Sequence, residues 1–258
     1  MMSYKQKFQD RDAACNYSAI YEGEDDYAVI LWGVEKKIIK QTLDQKLTIS
    51  ESRHLDFATG TGRVLSFFET LTLESCGVDV SRSMLRVAEQ NTKSCELIHA
   101  DITQPGGEVY ATGPYELITV FRFILNAEPK LREDALIALA RRLTEDGVII
   151  LNNHGSPHSI KLFGRLYHIV RHSLGFSGRV PTYLTDGEIE RIADSAGLRI
   201  IEKIGYGLLG GRVGRIFGRR IANAFERRLA GKRLIQSFGT CRIYCLEKKN
   251  WKQGHEAD

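Results

Sequence analysis

His54-Leu55-Asp56-Phe57-Ala58-Thr59-Gly60-Thr61-Gly62 is a short apolar run closed by an acid and then a turn of small residues, and Arg63-Val64-Leu65-Ser66-Phe67-Phe68 after it is compatible with a helix. A strand here feeds a ligand loop. Gly60 and Gly62 have no Cβ, so the chain can take positive φ and let a ligand approach its backbone. The N–H groups that open the next helix offer a seat for an anionic group. A dinucleotide turn needs G-x-G-x-x-G with a small residue last, yet the sixth residue is Arg63 counted from Ala58 and Leu65 counted from Gly60. The frame that fits is acid-x-small-x-Gly-x-Gly, over Asp56, Ala58, Gly60 and Gly62.

Two further acids follow at near-constant spacing. Ser75 to Val80 reads as a second strand carrying Asp79, 23 residues after Asp56, and Ser81 caps the helix that follows. Glu96 to Ile102 reads as a third strand carrying Asp101, 22 residues further on. An acid at a strand end can accept both hydroxyls of a ribose.

Leu55 to Arg63 resembles motif I of the class I S-adenosylmethionine-dependent methyltransferases, with Ala58 where a glycine is commoner. The resemblance implies S-adenosylmethionine as cofactor, Asp79 on its ribose and Asp101 on the adenine amino group. It also implies that Val80, Met84 and Ile102 sandwich the ring, with Asp56, Ala58, Thr59, Gly60, Gly62 and Phe121 completing the cofactor site. A nicotinamide-dependent oxidoreductase would share the first strand and its acid, but the absent third small residue and the extra Asp101 argue against it.

The order of elements predicts an α/β fold, a doubly wound, mostly parallel sheet of seven strands. Tyr115 to Phe121 is the fourth strand, Pro129 to Leu143 a helix, Gly147 to Leu151 the fifth strand, and Thr185 opens a helix with a capping-box pattern. Leu198 to Lys203 is the sixth strand and Phe238 to Glu247 the seventh, which the resemblance places antiparallel beside the sixth. The domain reading is an N-terminal helical lid over residues 1–47 and a catalytic domain over 48–258, with a cap insertion at 155–180 and a basic helical insertion at 208–236.

Composition agrees with one such domain. The 258 residues are 43% hydrophobic, and no apolar run approaches the roughly 18 residues needed to span a bilayer, so a soluble chain is expected. Lys5, Lys7, Asp10, Arg11 and Asp12 argue against a signal peptide. Five cysteines without a C-x-x-C pair suggest a reducing, cytoplasmic compartment, and Cys241 and Cys245 share one side of the seventh strand. No cluster of histidines, cysteines or paired carboxylates asks for a metal.

Three segments outside the core should carry specificity. Tyr17, Tyr21, Tyr27 and Trp32 precede a helical stretch from Val34 to Leu47, which folds over the ligand edge as a lid or simply packs on the core. Asn152 to His158 follows the fifth strand and leads into Ile160 to Leu174. From Arg212 to Arg233 eight basic residues face one acid, Glu226, although the whole chain is only +4. Ile216, Phe217, Ile221, Ala224, Phe225 and Leu229 recur there at helical spacing, an amphipathic basic helix suited to an anionic membrane or to phosphates, or else a solvated cover for the sheet edge. Nucleic acid is disfavoured because interleaved exposed aromatics are missing.

Methyl transfer is an in-line displacement in which alignment at close range is the main contribution, and a hydroxyl acceptor must also lose a proton. His154, just past the fifth strand, is the first candidate base and His158 the next. Arg122 would bind an acidic substrate group or anchor its loop to an acid, and Asn126 would orient a hydroxyl. The run Thr119 to Asn126, with the basic penultimate segment, resembles methyltransferases of bacterial surface-glycan and glycolipid pathways. The expected reaction is O-methylation of a small-molecule or lipid-linked saccharide, in the cytoplasm or peripherally at the inner face of the membrane. Nucleic acid, a quinone or a lipid as acceptor, and a non-catalytic membrane-recruited binding module, are the alternatives.

Overall fold

The computed structural model describes residues 27–156, 183–208, 219–229 and 238–249. Its strands are β1 (Arg53–Phe57), β2 (Glu74–Asp79), β3 (Glu96–His99), β4 (Tyr115–Val120), β5 (Leu143–Asn153), β6 (Leu198–Tyr206) and β7 (Cys241–Lys248). They form one sheet in the order β3-β2-β1-β4-β5-β7-β6. All run parallel except β7, which is antiparallel to both of its neighbours. The chain winds outward from β1 in one direction and from β4 in the other. Open α/β sheets bind ligands at that reversal, outside the carboxyl ends of the strands.

Alternation along the strands feeds two cores. Leu55, Val78, Ile118 and Ile149 point to one face, covered by helix α4 (Pro129–Ala140) and helix α5 (Asp186–Ser195) through Leu136, Leu139, Ile189 and Ile192. Leu117, Val148, Ile150, Ile243, Cys241 and Cys245 point to the other, against helix α1 (Tyr27–Leu43) and Phe68 of the short helix α2 (Leu65–Phe68). Burial on both faces is why Val148 to Leu151 reads as an unbroken apolar run. The remaining helices are α3 (Arg82–Asn91), capped by Ser81, and α6 (Arg219–Leu229). The Thr185 capping box at the start of α5 is present.

Several boundaries differ from the sequence reading, each for a local reason. Helix α1 is already helical at Tyr27, the first described residue, ahead of the expected Val34. An interior glycine costs a helix about 1 kcal/mol, but Gly33 faces outward and burial of Ile30 and Leu31 carries the helix through it. Helix α4 stops at Ala140, and Leu143 already belongs to β5, paired with Tyr115. The intervening Arg142 staples that corner by donating to the carbonyls of Ala111, Ala138 and Gly107, each at 2.8 Å. Strand β3 ends at His99, so Asp101 lies beyond it in a turn closed by Thr103. The expected features at Tyr17, Tyr21, His158, Ile160 to Leu174, Arg212, Arg215, Ile216, Phe217, Lys232 and Arg233 lie outside the described residues, as do most of the expected cap insertion and the ends of the basic one.

Candidate active site

The turn after β1 takes left-handed backbone at alternate residues: Ala58 (φ 55°), Gly60 (φ 56°) and Gly62 (φ 80°). A non-glycine residue there costs on the order of 1 kcal/mol, which explains why a glycine is the commoner choice at the position of Ala58. A Cβ on Gly62 would lie 3.0 Å from Ala88 Cβ. That glycine therefore lets α3 press against the turn.

Asp56 anchors the turn from below. It is 2% exposed and accepts hydrogen bonds from the hydroxyls of Thr59 and Thr119, both at 2.6 Å. The Thr119 hydroxyl has one proton, given to Asp56, so its oxygen accepts from His54 Nε2 at 2.8 Å. His54 Nδ1, the unprotonated nitrogen of a neutral ring, lies 3.1 Å from Ser75 Oγ, whose one proton is shared between that nitrogen and Thr72 Oγ1 at 2.8 Å. Burial pushes the Asp56 carboxyl up to about 6, opposed by the two threonine hydrogen bonds. Burial lowers His54 to about 3.

Asp79, at the end of β2, accepts from the backbone N–H of Gly60 and of Ser81, each at 2.8 Å. Burial raises its pKa, and backbone donors including those two oppose the rise. One cavity joins these groups. Its wall includes Asp56, Ala58, Thr59, Gly60, Asp79, Val80, Met84, Asp101, Ile102, Phe121, Arg122 and Asn126. Met84 is 2% and Ile102 4% exposed, so an apolar slot lies between acids from β2 and from the turn after β3. Gly62 is not part of that wall, and neither is His154, which is half-buried and the first residue after β5.

The opposite end of the cavity is built around an acid that motif reading passes over. Glu35 of α1 is fully buried. Its carboxylate meets Arg122 Nη2 at 3.4 Å and Arg63 Nη1 at 3.5 Å, and it accepts from Asn152 Nδ2 at 3.4 Å and from the Tyr206 hydroxyl at 2.5 Å. Burial, followed by the adjacent Glu35 charge, raises the Tyr206 pKa. Arg63 also stacks on Trp32, 4.2 Å from the ring centroid, and Trp32 meets Phe121 edge-on. Arg122 is left-handed (φ 57°), and its carbonyl accepts from Asn126 Nδ2 at 2.6 Å. The signal for Glu35 was legible in principle, since it lies at helical spacing among Leu31, Val34, Ile38 and Ile39, and a lone acid on an apolar stripe needs a buried partner.

A sequence-family model for a methyltransferase domain matches residues 55–149, from β1 into β5. Residues 55–149 are thus a methyltransferase domain, and the sheet has the fold of the class I S-adenosylmethionine-dependent methyltransferases. Solved structures share the fold of this methyltransferase. The magnesium protoporphyrin IX methyltransferase of Synechocystis, solved with bound S-adenosylhomocysteine, is 13% identical with a TM-score of 0.62 over 95% of this chain and 98% of that one. A possible histamine N-methyltransferase from Thermotoga maritima is 15% identical, TM-score 0.60, over 93% and 97%. An S-adenosylmethionine-dependent methyltransferase from Clostridium acetobutylicum is 15% identical, TM-score 0.58, over 92% and 99%. A search of curated proteins returns no match. The methyltransferase is an enzyme with S-adenosylmethionine as cofactor. Among its described residues no group of histidines, cysteines and acids is placed to hold a metal, and no helix is long and apolar enough to cross a membrane.

Proposed function

We propose that this methyltransferase seats the adenosine of S-adenosylmethionine at Asp79 and Asp101 and methylates an oxygen nucleophile on a small-molecule or lipid-linked saccharide. The residues present fit the cofactor. A ribose diol suits the Asp79 carboxylate, a flat ring suits the slot of Val80, Met84 and Ile102, and Gly60 has only Ala58 O, at 3.9 Å, near the site of an added Cβ. When bound, the cofactor supplies an electrophilic methyl carbon on a sulfonium. The protein's part is alignment. Arg122 and Asn126 line the cavity beyond β4, and His154, just past the carboxyl end of β5 and outside that lining, is the base for an acceptor hydroxyl that enters from the same sheet edge.

The lipid-linked part of this reading is carried by α6. Its single acid, Glu226, is turned inward, 1% exposed, accepting from the Tyr27 hydroxyl at 2.5 Å and from Leu208 N at 3.1 Å. Ile221 (64% exposed) and Phe225 (44%), one helical turn apart, face outward. Leu208 follows the carboxyl end of β6, so α6 is fastened at the edge where the cavity opens. An outward apolar pair within a segment of eight basic residues, whose one acid is consumed inside, suits a peripheral site on an anionic membrane.

The experiment is transfer of labelled methyl groups from S-adenosylmethionine into membrane and aqueous fractions of a bacterial extract. Label in an alkali-stable, organic-extractable saccharide is the expected result, and His154→Ala should lower the rate by about 10² to 10⁴ with cofactor affinity unchanged. Label confined to nucleic acid, or to an amine, would overturn the acceptor reading.

A further inference from the structure

We infer that Arg63 is the anchor for the carboxylate of the cofactor's amino-acid arm, and that Glu35 is the residue that positions it. The cavity is polarised along its length. The strand order puts Asp101 and Asp79, past β3 and at the end of β2, on one side of the β1 turn, and Arg122, past β4, on the other, with Arg63 joined to Arg122 through Glu35; all four line the cavity. An adenosine seated at the acidic end sends its amino-acid arm across the turn to the basic end, so the carboxylate and the arginines meet by charge alone.

Arg63 is the better placed of the two. It directly follows the turn, whereas Arg122 lies past β4 with its backbone tied to Asn126. Its guanidinium is 14% exposed, stacked on Trp32 and paired with Glu35 Oε2 at 3.5 Å. Stacking and pairing restrict the side chain before any ligand arrives, and a guanidinium so fixed presents a two-donor fork to a carboxylate. Trp32 and Glu35 both belong to α1, so the helix that precedes the catalytic domain shapes the cofactor site through this one side chain.

The test is calorimetric titration with S-adenosylhomocysteine and with its decarboxylated analogue, which keeps the ammonium arm. Wild type should bind the first at least tenfold more tightly, and Arg63→Met should weaken only that ligand, by roughly thirtyfold. Arg63→Lys, which keeps the charge but not the fork, should fall between them. Glu35→Gln should repeat the ligand-selective pattern with a smaller loss, a signature that general loosening of the fold does not produce. Equal loss on both ligands, an unchanged Arg63→Met, or the selective loss appearing in Arg122→Met instead would overturn the assignment. If Arg63→Met does not fold, the lysine variant and wild type still decide, because a wild type that binds both ligands alike contradicts the carboxylate contact. The inference rests on S-adenosylmethionine being the cofactor, and a wild type that binds neither ligand would count against that reading instead.

Discussion

Two buried carboxylates stand at the carboxyl edge of this sheet, and they are made in opposite ways. Asp56 is satisfied by neutral hydroxyls, and its charge is resisted by burial. Glu35 is satisfied by two guanidinium groups, an amide and a phenol. The reach differs as well. Asp56 bonds Thr59 three residues away and Thr119 across 63, and Gly60 bonds Asp79 across 19, whereas Glu35 reaches Arg122 across 87 residues, Asn152 across 117 and Tyr206 across 171. The acidic end of the cavity is built within the β1–β4 part of the sheet, and the opposite end exists only once the N-terminal helix has docked on β5 and β6 as well.

The largest effect expected from this contrast is at Glu35. Removing one partner of a buried ion pair leaves uncompensated charge and costs about 3 to 5 kcal/mol, so Glu35→Ala should lower the free energy of unfolding by that amount in denaturant titration. A loss below about 1 kcal/mol would mean that the two arginines are held without it. Glu35→Gln, which keeps the Asn152 and Tyr206 geometry, should fall between.

Asp56 is better probed by pH. Its pKa is higher folded than unfolded, about 6 against 3.8, so its contribution is present below 3.8 and is lost as pH rises to about 6. His54 runs the other way: its pKa falls from 6.5 to about 3 on folding, so its contribution is present above 6.5 and is lost as pH falls towards 3. Between about pH 4 and 6 the folded pair holds its proton on Asp56 and the unfolded pair holds it on His54, so the two slopes cancel. Wild-type stability from this pair should be flat in that window. Asp56→Asn should expose the His54 slope, stability falling with acid, and His54→Asn should expose the opposite one, each worth about 3 kcal/mol across the window. Identical pH profiles for both variants would break the coupling through Thr119.

The smallest effect expected is in the turn. Gly62→Ala combines a left-handed φ with a contact of 3.0 Å to Ala88 Cβ, and should destabilise by more than about 1 kcal/mol. Unchanged thermal unfolding would show that α3 can withdraw from the turn.

The same contrast explains what the sequence made legible. Asp56, Gly60, Asp79 and Asp101 could be read because each follows an apolar run at regular spacing, and a strand followed by a turn is a local pattern. The seven strands followed from apolar runs of the same kind, though their ends did not: β3 stops at His99 because Thr103 closes a turn on Asp101, and β5 starts at Leu143 because Arg142 turns the corner. Glu35, Asn152 and Tyr206 lie on three elements distant in sequence, so no spacing joins them. The inward turn of Glu226 was hidden for the same reason, since its partners Tyr27 and Leu208 belong to other elements.

The most direct test of the central claim, an adenosine seat at the ends of β2 and β3, is calorimetric titration of S-adenosylhomocysteine into wild type and Asp79→Ala. A carboxylate that accepts two ribose hydroxyls contributes on the order of 2 kcal/mol, so the variant should bind roughly thirtyfold more weakly while remaining folded by circular dichroism. Equal affinity in the two proteins would contradict the account.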